Sequence, residues 1–187
     1  MSAIDILSKL NGLTSGSLDP VQRVLLVTDG TLTEILEAIF LERIELIKLA
    51  QEIVTATASH AMLDISPGQN ETLIERKVLL RGGESGTNYA YAESLIAADR
   101  LGAAFRDELL NSNTPLGRLW LEHRLETYKD LQSVEFERAE HLSRYFACTT
   151  ACPLFVRTYR VFSACRPVML IAEHFPTKYC RSAALLP

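Results

Sequence analysis

Residues 71–96 read ETLIERKVLL-RGGESG-TNYAYAESLI, two strand-forming runs either side of a glycine-rich hexapeptide. That pattern reads as a β-hairpin and commits this part of the chain to antiparallel sheet. Successive side chains of a strand point to opposite faces. Thr72, Ile74, Arg76, Val78 and Leu80 therefore share one face. Leu73, Glu75, Lys77, Leu79 and Arg81 share the other. The first set is the core-like face, and it carries one arginine. On the returning run Asn88, Ala90, Ala92 and Ser94 share a face and are all small. Small side chains over a sheet either admit a closely packed helix or leave room for a ligand.

The same test applied to VMLIAEHFP (168–176) finds a second buried charge. Met169, Ile171, Glu173 and Phe175 point one way, and Val168, Leu170, Ala172 and His174 the other. Glu173 thus shares a face with three large apolar side chains. A buried charge is costly unless it is paired, ligand-bound or neutralised. Arg76 and Glu173 therefore either pair with each other or with other buried polar groups, or they line a closed pocket. In a pocket a guanidinium grips a carboxylate through a two-pronged hydrogen bond. Burial pushes an unpaired carboxyl toward its neutral form, where it can exchange protons. Arg157 and Arg160 lie on opposite faces of the run 154–163, so at most one of them points inward.

Composition narrows the function classes. The 187 residues fit one domain, 1–187, large enough for a core without metal or disulfide help. A net charge of −4 argues against a nucleic-acid partner held by broad electrostatics. Local arginines still suit a small anion. The start, MSAIDILSKLNGL, does not read as a signal peptide, and no window holds the ~20 apolar residues of a membrane span. A cytoplasmic location follows as the expectation. The four cysteines (148, 152, 165 and 180) then read as free thiols. Cys148 and Cys152 form a C-x3-C pair with no zinc partners at suitable spacing. The histidines at 60, 123, 141 and 174 make no catalytic or metal-like spacing.

Along the chain, Asp19-Pro20 marks a helix start, and Thr31 with Glu34 reads as a capping box before LTEILEAIF. Residues 42–56 suit a helix or a strand equally. SPGQN (66–70) is a loop, Asp99 caps a helix over 99–111, and Pro115 starts another. Residues 126–137 read as an exposed strand. LFVRTYRVFS (154–163) and PVMLIAEHF (167–175) form a last hairpin, and 177–187 is irregular. With no alternating βαβ pattern, the class is α+β: one antiparallel sheet with helices on one side.

The segments IERKVLL (74–80), YAESLI (91–96), TPLGRLW (114–120) and RPVMLIAEHFP (166–176), in this order, resemble the chorismate pyruvate-lyase family. DGTLTEILE (29–37) and RLETYKDL (124–131) resemble in particular its branch from archaea, actinobacteria and cyanobacteria. Two places differ from the wider family. The turn before the last strand usually carries glycine beside a basic residue, where this chain has Ala164-Cys165-Arg166. Glu93-Ser94 stands where ubiquinone-pathway members tend to have arginine and threonine.

The resemblance implies a six-stranded antiparallel sheet with helices packed on one face, a long strand at 42–56, and a buried pocket under two helical flaps. It implies cofactor-free elimination of pyruvate from chorismate to leave 4-hydroxybenzoate. The ring-carboxylate arginine falls on Arg76, and the glutamate beside the product hydroxyl falls on Glu173. Backbone amides that meet the ring carboxylate or close over it fall on Leu116 and Leu32, and a small pocket residue falls on Ala92. Arg157 is the candidate for the second carboxylate. Arg76 and Glu173 are expected to face one cavity without pairing directly when ligand is bound.

Two other readings use the same pocket. One is a ligand-binding sensor, because effector domains of a family of bacterial transcription regulators share the fold. Only about forty residues precede the first strand, which is short for their DNA-binding module. The other is a lyase for a different chorismate-like acid.

Overall fold

The computed structural model of the protein describes residues 18–56, 58–66 and 71–179. Among them six strands form one sheet: β1 (Ile44–Thr55), β2 (Thr72–Gly82), β3 (Asn88–Ala97), β4 (Tyr128–Ala139), β5 (Cys152–Ser163) and β6 (Arg166–Pro176). Their order is β1-β2-β3-β6-β5-β4, and every neighbouring pair is antiparallel. The hairpin that opened the sequence reading, β2–β3, sits inside the sheet. Residues 44–55, ambiguous by pattern, form the long edge strand β1.

Two hairpin turns are held by different chemistry. At 83–86 the Glu42 carboxylate accepts from the backbone N–H groups of Glu84 and Ser85 and from the hydroxyls of Ser85 and Tyr89. These bonds outweigh the effect of burial and hold its pKa down at about 2. Gly82 leaves the room this clamp needs, since a Cβ there would lie 2.4 Å from a Glu42 oxygen. The β5–β6 turn uses Ala164 and Cys165 at φ 48° and 61°, with Ser163 paired to Arg166. Two left-handed central residues give the twist a two-residue hairpin needs, here without glycine.

Four α-helices are described: α1 (Pro20–Val27), α2 (Leu32–Phe40), α3 (Ala103–Asn111) and α4 (Leu116–Glu122). They pack on one face of the sheet in two groups. Leu25, Leu26, Leu32 and Leu36 from α1 and α2 close over Leu80, Phe155 and Phe175. Phe105 and Leu109 from α3 and Leu119 from α4 close over Ile74, Met169 and Ile171. The opposite face is partly covered by irregular chain. Leu63 and Ile65 sit on Leu73 and Ala97, while Leu142 and Phe146 sit on Leu79 and Leu154.

Several local expectations change. Asp19 does cap α1, accepting from the Val21 N–H at 2.9 Å, and Gln22 completes the box by accepting from the Asp19 N–H. Thr31 is the N-cap of α2 but its side chain makes no capping bond. Its methyl group instead packs where a side chain on residue 117 would stand, 2.1 Å from an ideal Cβ on Gly117. Asp99 does not cap the next helix: it accepts from the Thr72 N–H at 2.8 Å, and α3 starts after Gly102. Pro115 is the N-cap of α4, one residue before its first turn. Cys148 and Cys152 are not free thiols. The tight chain at 147–151 brings their Cα atoms within 5.5 Å, and they are joined as a disulfide. Cys165 is free and exposed. The N-terminal segment, most of the 66–70 loop, Cys180 and the rest of the tail lie outside the described residues. Among the described residues no helix is long and apolar enough to cross a membrane.

Candidate active site

Strand register assembles the floor of the site. On the covered face one row across the sheet runs Arg157, Glu173, Ala92, Val78 from β5 to β2. The next row runs Tyr159, Ile171, Ser94, Arg76. Arg76 and Glu173 are therefore two strands and one row apart, roughly 12 Å between Cα atoms by ideal sheet spacing. Their side chains line the same cavity, between the two groups of covering helices. Ala92 and Ser94 supply the low floor between them. Thr31 and Leu32 at the start of α2, and Leu116, Gly117 and Trp120 of α4, make the roof. The cavity between floor and roof is about 60 Å³. One water needs only about 10–15 Å³, so several waters fit, whereas a benzene-sized ring needs about 150 Å³ and would require the roof to shift.

The two charges have different surroundings. Arg76 is 2% exposed. Its Nη2 donates to the Thr114 carbonyl at 3.4 Å, while Nε and Nη1 have no partner among the described residues. Burial pushes its pKa down to about 10, which leaves it charged at neutral pH. A buried guanidinium with two unengaged nitrogens beside a cavity has the chemistry to take a carboxylate there. Glu173 is fully engaged on its sheet side. One oxygen accepts from Arg157 Nε and the other from the Tyr159 hydroxyl at 2.8 Å. No ion pair joins Arg76 to Glu173 among the described residues. The first alternative raised by the sequence thus holds for Glu173 and fails for Arg76.

Arg157 has a different place from the one expected of it. It does not line this cavity but lies behind Glu173. Its Nη1 donates to the carbonyls of Leu25 and Thr28, at the end of α1. Burial alone would lower its pKa, but the Glu173 carboxylate beside it raises it, so the cation persists. Burial and the same carboxylate raise the pKa of Tyr159 well above the ordinary range, so its hydroxyl stays a donor. Arg160 takes the other direction and pairs with Asp130 at 2.8 Å.

Sequence reasoning missed three wall residues. Tyr159 looks like an ordinary core aromatic in its strand. Trp120 lies within the quoted TPLGRLW motif, but nothing marked its indole. Lys129 sits in a strand that reads as exposed, and no pattern singles it out. Among the described residues no group of His, Cys, Asp and Glu side chains is placed to hold a metal ion.

Comparisons with known proteins identify the family. The model of the family described as chorismate pyruvate-lyase Rv2949c-like matches residues 26–183. The chain belongs to this chorismate pyruvate-lyase family. The span runs from the end of α1, through the whole sheet, past the last described residue. The chorismate pyruvate-lyase of Mycobacterium leprae is 31% identical over 166 residues, covering 84% of this chain and 75% of that one. Its Mycobacterium tuberculosis counterpart is 28% identical over 172 residues, covering 86% and 82%. Among solved structures, the effector domain of PhnF from Mycobacterium smegmatis is similar with a TM-score of 0.59. It is 13% identical and covers 79% of this chain and 88% of that one. At that identity the likeness concerns the fold alone. The family's sheet is thus also the frame of a regulator's effector domain, and function is argued from the site.

Proposed function

We propose that the protein is a chorismate pyruvate-lyase, converting chorismate to 4-hydroxybenzoate and pyruvate. The observation that carries the reading is the pair of unengaged nitrogens on the buried Arg76, a residue that lines one cavity with the Glu173 carboxylate. Arg76 anchors the ring carboxylate. Leu32 and Leu116 stand at the start of the covering helices, where the first amide N–H groups lack helical partners and favour an anion. Ala92 leaves room for the ring.

The reaction breaks the C4–H and C3–O bonds of chorismate. The C4–H electrons complete the aromatic ring as enolpyruvate departs, and the proton released at C4 is balanced by the one taken up at the enolate's methylene carbon, giving pyruvate. Aromatisation supplies the driving force, so the protein's work is orientation and proton handling. Glu173, fixed by Arg157 and Tyr159, accepts a hydrogen bond from the C4 hydroxyl and holds the C4–H bond in line. The residues themselves suffice for these steps without a cofactor. Arg157 acts through Glu173 and not on the substrate.

Purified protein incubated with chorismate should release 4-hydroxybenzoate and pyruvate in equal amounts, read by absorbance and a coupled pyruvate assay. Tight binding of aromatic acids without any turnover would instead favour a sensor, the role suggested by the fold shared with a regulator's effector domain.

A further inference from the structure

The proposed reading places the ring between Arg76 and Glu173, but chorismate also carries a second carboxylate on its enolpyruvyl arm. Arg157 is held by Glu173, Leu25 and Thr28 and does not line this cavity, although its Nη2 has no partner among the described residues. Lys129, on edge strand β4, lines the same cavity and also two larger spaces beside it, of about 360 and 370 Å³ at water centres. It therefore stands where the ring chamber opens outward. Its Nζ donates to the Gly30 carbonyl at 2.9 Å and lies 5.1 and 5.7 Å from the ring centres of Tyr159 and Trp120. An ammonium has three donors, so two remain for a ligand. Independently, the buried indole Nε1 of Trp120 has no partner among the described residues, on a ring that lines both the chamber and its opening. An orphaned buried donor calls for a ligand or water. Lys129 Nζ and the Trp120 ring thus stand 5.7 Å apart, both lining the chamber and the space beside it, on the side away from β2, where Arg76 stands.

We propose that Lys129 Nζ and Trp120 Nε1–H together bind the carboxylate of the enolpyruvyl arm, making the site selective for a ring with an acidic side arm. The inference rests on the chorismate reading but concerns binding, and it is tested without turnover. Direct titration would compare two probes: 4-hydroxybenzoate, and 3-(1-carboxyethoxy)-4-hydroxybenzoate, which keeps the arm and cannot eliminate. Wild type should prefer the armed probe. Lys129→Met should weaken it at least about tenfold, as expected for a lost charge-assisted bond, and leave 4-hydroxybenzoate within about threefold. Lys129→Arg should restore part of the preference. Trp120→Phe keeps the ring, removes only the N–H, and should cost the armed probe several-fold. Equal losses for both probes would show Lys129 to be only a brace between Gly30 and β4, and unchanged binding of both would show it idle. Either outcome overturns the proposal. A wild type that binds the armed probe but leaves chorismate unconverted would sink the lyase reading while leaving this one standing.

Discussion

At the scale of single residues, the site contains two buried arginines with opposite energetics. Arg157 has a carboxylate and two carbonyls as partners and leaves only Nη2 without one among the described residues. Arg76 has one long bond to a carbonyl. For Arg76 the sign is clear. A basic group whose pKa falls on folding binds its proton more weakly in the native state, so its charge destabilises the fold at every pH below the lowered value. That value is about 10, and the penalty is present in full at neutrality. Arg76→Leu should therefore leave thermal stability unchanged or higher while abolishing binding of 4-hydroxybenzoate. Arg157→Leu strands the Glu173 carboxylate and should cost about 3–5 kcal/mol. Melting curves on the two variants check this contrast, and a large stability loss in Arg76→Leu would contradict it. Both Arg76 and Glu173 were legible in the sequence because alternation exposes a charge on an apolar face. Their partners were not. A register is needed to know that Arg157 stands opposite Glu173 and that nothing charged stands opposite Arg76.

At the scale of elements, local signals were right where the chain answers to itself and wrong where tertiary contact intervenes. The Asp19-Pro20 start of α1 and the β2–β3 hairpin are local and appear as read. The capping box at Thr31 fails because its side chain meets the first turn of α4, and Asp99 is diverted to the end of β2. The Thr31–Gly117 contact is the seam between the two helices that roof the cavity. A Cβ at 117 would meet the Thr31 methyl, the end of a short, stiff β-branched side chain, so the helices must part to admit it. Gly117→Ala should raise the KM for chorismate or the Kd for 4-hydroxybenzoate several-fold with little change in melting temperature. Adding Thr31→Ser removes the obstructing methyl and should recover most of the loss. Failure of that rescue would mean that residue 117 matters for a reason other than this seam. The strand β1 shows the converse limit. Its pattern fits two periods, and pairing with β2 along its whole length decides between them.

At the scale of the whole molecule, the arrangement explains how one sheet can serve both an enzyme family and regulator domains. The four described helices form two separate groups over one face, and the cavity lies where the groups meet. A ligand there touches both groups and the sheet, so its binding free energy becomes stability of the closed form. At a hundredfold excess over Kd, 4-hydroxybenzoate should add about 2.7 kcal/mol. For a chain of this length that is a rise of roughly 5–10 °C in melting temperature. The rise should vanish in Arg76→Leu, which lacks the proposed anchor for the ring carboxylate. Amide exchange should slow most at the start of α2 and in α4, and least along β4 away from Lys129. A stabilisation confined to the sheet, with the two roof helices exchanging as fast as before, would place the ligand somewhere other than under the seam. Stability gained by binding is common to a sensor and a lyase. What separates them is whether the same chamber, with Glu173 already fixed by Arg157 and Tyr159, lets a bound chorismate ring lose its arm.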